Sequence, residues 1–142
     1  MLELAPREWH LLPQNSEISR VNGEVEEWLA GADVPFAGIY MANLTVEELV
    51  TNCIKYGYAG MDTTEKGIDV VISIVGGELR IILSDDASPF DPLAQAAPDL
   101  SLPIEERPIG GLGIHMLRQM STGFAYVFEN GRNVVTITKQ LV

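Results

Sequence analysis

The chain has 142 residues, of which 46% are hydrophobic, and its formal net charge at pH 7 is −11. This length fits one domain with a sizeable core, and no segment approaches the roughly 20 consecutive apolar residues of a membrane span. The negative charge opposes binding to nucleic acid and to anionic lipid, which argues against both as partners. The first ten residues predict no signal peptide, and the single cysteine, Cys53, fits a reducing cytoplasm.

The first half of the chain predicts a short strand followed by two helices. Residues 2–6 are expected to form the strand. Ser16 can start the first helix, whose apolar positions recur at helical spacing as far as Gly31. Pro35 opens the second helix, which we expect to run to about Tyr56.

The second half predicts two β-hairpins and a third helix, separated by a long loop. The expected elements are a strand at Ile68–Val75, a turn at Gly76-Gly77, a strand at Glu78–Ser84, a helix at Gly111–Met120, and a hairpin joining Phe124–Glu129 to Val134–Leu141 through Asn130-Gly131. Five of the eight prolines lie between Asp86 and Gly110, and long loops of this kind are usually functional or mobile. The predicted fold class is an α+β two-layer sandwich in a single domain (1–142), with helices on one face of a mixed, mainly antiparallel sheet.

Glu48 and Asn52 lie four residues apart on the second predicted helix. Residues at this spacing share one helix face, so the two side chains project together. Mg²⁺ prefers oxygen ligands and keeps several waters, so the amide oxygen of Asn52 and phosphate oxygens suffice to hold it. The carboxylate of Glu48 is able to accept a proton from an attacking hydroxyl or water. The alternative is that both residues belong to a charged, solvated helix face.

Asp85 follows the apolar run Ile81, Ile82 and Leu83 and therefore emerges at the end of a predicted buried strand. A carboxylate at such a position is able to accept a hydrogen bond from an exocyclic amine such as N6 of adenine. The alternative is that Asp85 and Asp86 are ordinary turn residues at the end of a strand.

A glycine-rich turn precedes the third predicted helix. At Gly110, Gly111 and Gly113, unpaired N–H groups and the positive end of the helix dipole face an incoming anion, and glycine allows a phosphate to approach closely. Arg107 is able to reach a terminal phosphate as a cation. The alternatives are a flexible loop for the glycines and a surface charge for Arg107. In order, the three blocks supply what binding of Mg-ATP and phosphoryl transfer require.

These blocks resemble the motifs of the anti-sigma factor serine/threonine kinases, the RsbW and SpoIIAB type, within the GHKL ATPase superfamily. EELVTNCIKYGY resembles the N box, DDASPFDP the adenine box, GGLGIHMLRQM the phosphate box and GRNVVTITK the closing strand, over roughly Leu2 to Leu141. The resemblance implies the Bergerat fold, with ATP and Mg²⁺ as cofactors. It implies these site residues: Glu48 as the general base, Asn52 as the magnesium ligand, Asp85 and Ala87 at the adenine, Arg107, Gly110, Gly111, Leu112, Gly113 and Ile114 at the phosphates, and Thr136 in support of the adenine. Ala87 stands where the family usually has a glycine.

The resemblance also implies an ATP lid at about residues 87–109. The implied partners are a STAS-domain anti-anti-sigma protein and a sigma factor or other regulatory protein, with a homodimer left open. Three function classes remain: a protein kinase that phosphorylates the STAS partner and holds the sigma factor, a nucleotide-binding switch that no longer transfers phosphate, and a detached catalytic module of a histidine kinase. Glu48 favours the kinase, because a pure binder needs no base. His10 and His115 do not lie in a dimerising helical hairpin, which counts against the third class.

Overall fold

The computed structural model describes residues 1–94, 101–103, 105 and 112–141. In chain order, its elements are strand β1 (Leu4–Leu11), helices α1 (Ser16–Gly31) and α2 (Phe36–Asn52), a π-helical turn (Cys53–Gly57), strands β2 (Ile68–Val75) and β3 (Glu78–Asp85), a 3₁₀ turn (Pro92–Ala94), helix α3 (Leu112–Met120), and strands β4 (Gly123–Glu129) and β5 (Arg132–Gln140). The predicted elements are confirmed in type and order. The first strand begins later than expected and extends further, to Leu11.

The five strands form one sheet in the order β1-β2-β3-β5-β4. Every pair of neighbours in this sheet is antiparallel. The predicted mainly antiparallel sheet is therefore confirmed, and the parallel pairing that a mixed sheet would add does not occur among these strands.

One face of the sheet carries the hydrophobic core. Side chains alternate between the two faces of a strand, so residues in register across the sheet share a face. Ile72, Ile81 and Ile137 form one such row, and all three are fully or almost fully buried beneath the helices. Burying each such side chain contributes about 1.5–3 kcal/mol. The helices are therefore held on one face, as predicted. No helix among the described residues is long and apolar enough to cross a membrane.

The second helix ends differently from the prediction. Regular α-helix stops at Asn52, and the chain continues as one wide turn that the amide of Tyr58 closes on the carbonyl of Cys53 at 2.9 Å. Such π-helical turns recur at functional sites. The turn brings the chain to Tyr58, whose ring is buried in the core.

Tyr58 joins the loop before β2 to the loop after β3. Its hydroxyl lies 2.7 Å from Oδ1 of Asp86 and 3.0 Å from the carbonyl oxygen of Gly67. The amide of Gly67 donates to the same Asp86 oxygen at 3.2 Å. Burial alone would raise the pKa of Asp86, but the hydrogen bonds from Tyr58 and Gly67 outweigh it and lower that pKa. Asp86 is thus an anchor of the loop that follows β3.

Replacing Tyr58 by Phe tests this anchor. Asp86 loses its closest donor, and we expect the free energy of unfolding at pH 7 to fall by about 1.5–3 kcal/mol, the usual scale for a hydrogen bond to a charged group. Because the folded pKa of Asp86 is depressed, this contribution is present above the unfolded pKa and is lost as the pH falls through the folded one. Urea unfolding at several pH values measures both effects. Tyr40→Phe, at an exposed tyrosine, is the control; equal stability of Tyr58→Phe and the parent would contradict the anchor.

Candidate functional site

A small, mostly apolar cavity lies between helix α2, the end of β3 and the start of β5. It is lined by Leu49, Asn52, Cys53, Gly57, Leu83, Asp85, Phe90, Pro92, Asn133 and Val135. Its volume is about 20 Å³, which is room for about one water molecule. Two of the predicted site residues, Asn52 and Asp85, therefore line the same cavity.

Asp85 is one of the buried polar residues that line this cavity. It is the last residue of β3 and is 5% exposed. Its Oδ1 accepts hydrogen bonds from the amide of Ala87 at 2.9 Å and from Nδ2 of Asn133 at 2.8 Å. These donors hold the carboxylate in place, as expected of a fixed acceptor and in contrast to a solvated turn residue.

Cys53 borders the same carboxylate. Burial, followed by the negative charge of Asp85, raises the pKa of the Cys53 thiol far above its usual value. The thiol stays protonated at neutral pH, and Cys53 is 5% exposed. It is therefore a small buried side chain of the cavity wall and not a nucleophile.

Ala87 packs against Gly57. A Cβ atom on Gly57 would lie 2.9 Å from the Cβ of Ala87, which is closer than such atoms approach. The family that the sequence resembles usually has a glycine at the position of Ala87. The additional methyl group of Ala87 fills space that Gly57, which has no side chain, leaves open. Ala87 itself is 4% exposed, and its amide remains bonded to Asp85.

Glu48 lies against the first turn of helix α3. A Cβ atom on Gly113 would fall 2.0 Å from Cδ of Glu48 and 2.4 Å from its Oε1, so only glycine leaves room for the carboxyl group. Burial, and then the charge of Glu47, raise the pKa of Glu48. Helix α3 starts at Leu112, which is exposed, while Ile114 is buried in the core. The structure thus brings the predicted base to the start of the predicted phosphate-binding helix.

Thr136, which the resemblance assigns to the support of the adenine, does not line this cavity. It pairs with Ile82 on the helix-free face of the sheet, whereas Val135 and Ile137 on either side of it are buried on the helix face. Asn133, which the sequence analysis did not single out, occupies the cavity instead. The sequence pattern indicates this position. Side chains alternate along a strand, and Asn133 lies two residues before Val135, so it is on the same inward face.

Part of the predicted site lies outside the described residues: Arg107, Gly110, Gly111 and most of the predicted lid. The described start of that lid contacts helix α3, because the guanidinium group of Arg118 donates to the carbonyl oxygen of Leu93. Arg118 therefore links helix α3 to the start of the predicted lid.

The residues present are compatible with magnesium held mainly by a ligand. In the ranges that the structure describes, no three His, Cys, Asp or Glu side chains form a metal-binding group. The half-buried Asn52 lines the cavity beside Asp85. One protein oxygen is compatible with Mg²⁺ when phosphates and water supply its remaining ligands.

Gly113→Ala tests the contact between Glu48 and helix α3. The added methyl group would displace the Glu48 carboxyl into solvent. Since burial is the main cause of the raised pKa, we expect that pKa to fall toward the usual glutamate value, as followed by NMR titration of the side-chain carboxyl. Gly23→Ala is a matched control, because a Cβ atom at Gly23 meets nothing within 4 Å. An unchanged Glu48 pKa in Gly113→Ala would show that the carboxyl group does not depend on this contact.

Comparison with known proteins agrees with this fold. In solved structures, the chain is similar to the RsbU and RsbW domains of Rv1364c from Mycobacterium tuberculosis, with 20% identity and a TM-score of 0.68, over 96% of this chain and 32% of that one. It thus spans about a third of that protein chain. It is also similar to a chain of the SiaB-SiaC complex from Pseudomonas aeruginosa, with 14% identity and a TM-score of 0.62, over 97% of this chain and 90% of that one. No curated protein sequence matches significantly. The family model described as the histidine kinase-like ATPase domain matches residues 12–139, and the chain belongs to that family.

Proposed function

We propose that this protein is an ATP-dependent serine/threonine kinase of the anti-sigma factor type. It would phosphorylate a STAS-domain anti-anti-sigma protein and sequester a sigma factor or another regulatory protein. The observation that carries the proposal is the contact between the Glu48 carboxyl and Gly113, one helical turn from Asn52 at the Asp85 cavity. This arrangement supports Glu48 as a general base, Asn52 as a metal ligand and Asp85 as a hydrogen-bond acceptor for adenine, all around one nucleotide.

Nucleotide binding follows from the local donors and acceptors. Asp85 offers its carboxylate to the exocyclic amine of adenine, and the first turn of α3 offers amide groups and its positive dipole end to the phosphates. These local groups are needed because the net charge of −11 opposes a polyanion. A purine ring is several times larger than a water molecule, so the cavity of about 20 Å³ must widen to admit it.

In the transfer step, the serine hydroxyl of the partner attacks the γ-phosphorus of ATP. A new P–O bond forms, the bond to the β,γ-bridging oxygen breaks, and ADP leaves. Glu48 accepts the hydroxyl proton. Mg²⁺, when held by Asn52 and the phosphates, supplies neutralisation of phosphate charge. Burial raises the pKa of the Glu48 carboxyl, and its carboxylate is therefore a stronger proton acceptor than that of an ordinary glutamate.

The proposed protein partner is supported by charge and by the similar structures. An acidic surface suits a basic partner better than an acidic one. One similar structure is the complex of SiaB with SiaC, and the other contains an RsbU domain together with an RsbW domain. Both contain a related fold together with a further protein or domain.

Glu48→Gln separates catalysis from binding. A carboxylate near the γ-phosphate is unfavourable before reaction, so we expect ATP affinity to be retained or raised. Transfer of label from ATP to the STAS protein of the same genome should fall by on the order of 10²-fold or more, the usual scale for a positioned base. Glu47→Gln, which changes the exposed neighbour, is the control and should transfer at a rate close to the parent's. Transfer by Glu48→Gln at the parent rate would refute the mechanism.

The pH dependence of transfer provides a second test. Because burial and the charge of Glu47 raise the pKa of Glu48, this base takes up its proton at a higher pH than an ordinary glutamate. Activity should therefore be lost as the pH falls through that raised pKa. Glu47→Gln removes the second cause, so the acid limb of the rate profile should move to lower pH. The rate is measured under single-turnover conditions with saturating ATP; an identical limb in both proteins would contradict the assignment of that limb to Glu48.

A nucleotide-binding switch without transfer is the second candidate, because it uses Asp85, Asn52 and the start of α3 but needs no catalytic part for Glu48. The same labelling experiment distinguishes it, because the switch binds ATP and its partner but yields no labelled protein. The histidine kinase module has less support. His10 lies on β1 with its Nδ1 2.7 Å from Asp69, and His115 lies on the short helix α3, so neither belongs to a long helical hairpin.

A further inference from the structure

Asn133 is a buried polar side chain to which the proposed mechanism gives no part. It is 3% exposed and lies on β5 directly opposite Asp85 on β3. Its Nδ2 donates to Oδ1 of Asp85 at 2.8 Å and to the carbonyl oxygen of Ser88 at 2.9 Å. Its Oδ1 accepts from the amide of Phe90 at 3.0 Å and from the hydroxyl of Tyr126 at 2.6 Å. The side chain thus connects two strands and the loop that follows β3.

These partners determine which way the amide group faces. Asp85 and the Ser88 carbonyl can only accept, whereas the Phe90 amide can only donate. If the Asn133 amide were flipped, its oxygen would face the acceptors of Asp85 and Ser88, and its NH₂ group would face the donor of Phe90. Both donor hydrogens and both acceptor sites of the side chain are used, so the arrangement requires an amide specifically.

The first consequence concerns Asp85. Its Oδ1 already accepts from the Ala87 amide and from Asn133, which occupies the two lone pairs of that oxygen. A further strong donor, such as the exocyclic amine of adenine, must therefore bind at Oδ2. Guanine has a carbonyl oxygen in place of that amine, and an oxygen facing a fixed carboxylate is repelled. A carboxylate that cannot rotate distinguishes the two bases better than one that can.

The second consequence concerns the wall of the cavity. Asn133 holds Ser88 and the amide of Phe90 at the start of the predicted lid. The ring of Phe90 lines the cavity and stacks on Tyr56, with centroids 5.4 Å apart and planes at 16°. The side-chain amide of Asn133 therefore contacts both Asp85, the proposed acceptor for adenine, and the segment whose aromatic residue Phe90 forms part of the cavity wall.

We propose that Asn133 is a positioning residue that sets the base preference of the cavity, by fixing the orientation of Asp85 and anchoring the segment Ser88–Phe90 to it. This inference rests on the proposed binding of ATP at Asp85 and adds to it the residue that determines selectivity for adenine over guanine.

Asn133→Asp tests the donor half of the amide. It keeps an acceptor for Phe90 and Tyr126 but turns a carboxylate oxygen toward Asp85. The purified variant and the parent are titrated with ATP, GTP and tripolyphosphate by calorimetry. We expect ATP affinity to fall by about 10- to 100-fold, the scale of one lost charge-assisted hydrogen bond. The preference for ATP over GTP should shrink, while tripolyphosphate affinity, which does not depend on the base, should stay within about twofold of the parent's.

A purely structural role is distinguished by Tyr126→Phe. This variant removes one partner of the acceptor half and leaves the donor to Asp85 intact, so it should lower the unfolding temperature but keep the parent's ratio of ATP to GTP affinity. Val134→Thr, on the other face of β5, controls for changes in the strand itself. Should Asn133→Asp fail to fold, Asn133→Ala removes the same donor without adding charge and should show the same loss of preference.

The inference is overturned if a folded Asn133→Asp or Asn133→Ala keeps the parent's preference for ATP over GTP. The same outcome leaves the proposed function standing, because the parent still binds ATP. Failure of the parent to bind ATP at all would instead overturn the proposed function.

Discussion

The register between β3 and β5 determines which side chains meet at the cavity. Asp85 closes β3 and stands opposite Asn133 near the start of β5. In an antiparallel pair, a slip of one residue would turn every side chain to the other face. The apolar rows beneath the helices prevent such a slip, because Ile81 and Ile137 would be forced out of the core. Hydrophobic packing therefore fixes the position of a polar pair some distance along the same strands.

Helix α2 brings the remaining chemistry to that pair. Its buried stripe packs on the sheet, which leaves Glu48 directed at α3 and Asn52 at the cavity. The π-helical turn after Asn52 then redirects the chain into the core at Tyr58. Several features thus meet at one place: the end of a helix, the end of a strand and the start of another helix. Each supplies backbone groups or side chains that neighbouring elements hold in position.

Local patterns in the sequence were enough to predict most of the fold. Helix α1 and strand β2 occupy the predicted residues, because their apolar periodicity and their glycine boundaries are local signals. The second helical segment ends at Gly57, as predicted, but its last turn is π-helical, and this turn at Cys53–Gly57 accompanies the distant pairing of Tyr58 with Asp86. Helix propensity summed over a short stretch of sequence contains no information about a partner as distant in the chain as Asp86.

The site was predictable only as far as motif order allowed. Glu48, Asn52 and Asp85 were identified from residue type and spacing, and the structure brings all three to the cavity or its neighbouring helix start. Thr136 was assigned from the resemblance alone, and Asn133 was not identified. A period-two count along β5 places Asn133 on the inward face, but the hydrogen bonds that make it the centre of a network join residues more than forty positions apart.

The packing of Ala87 on Gly57 has a consequence for how related sequences can vary. A larger residue at position 57 would collide with the methyl group of Ala87, whereas glycine at position 87 would remove that obstacle. The two positions therefore share one volume, and a larger residue at position 57 requires a smaller one at position 87. In a set of homologues, the sizes of these two residues should therefore be inversely correlated.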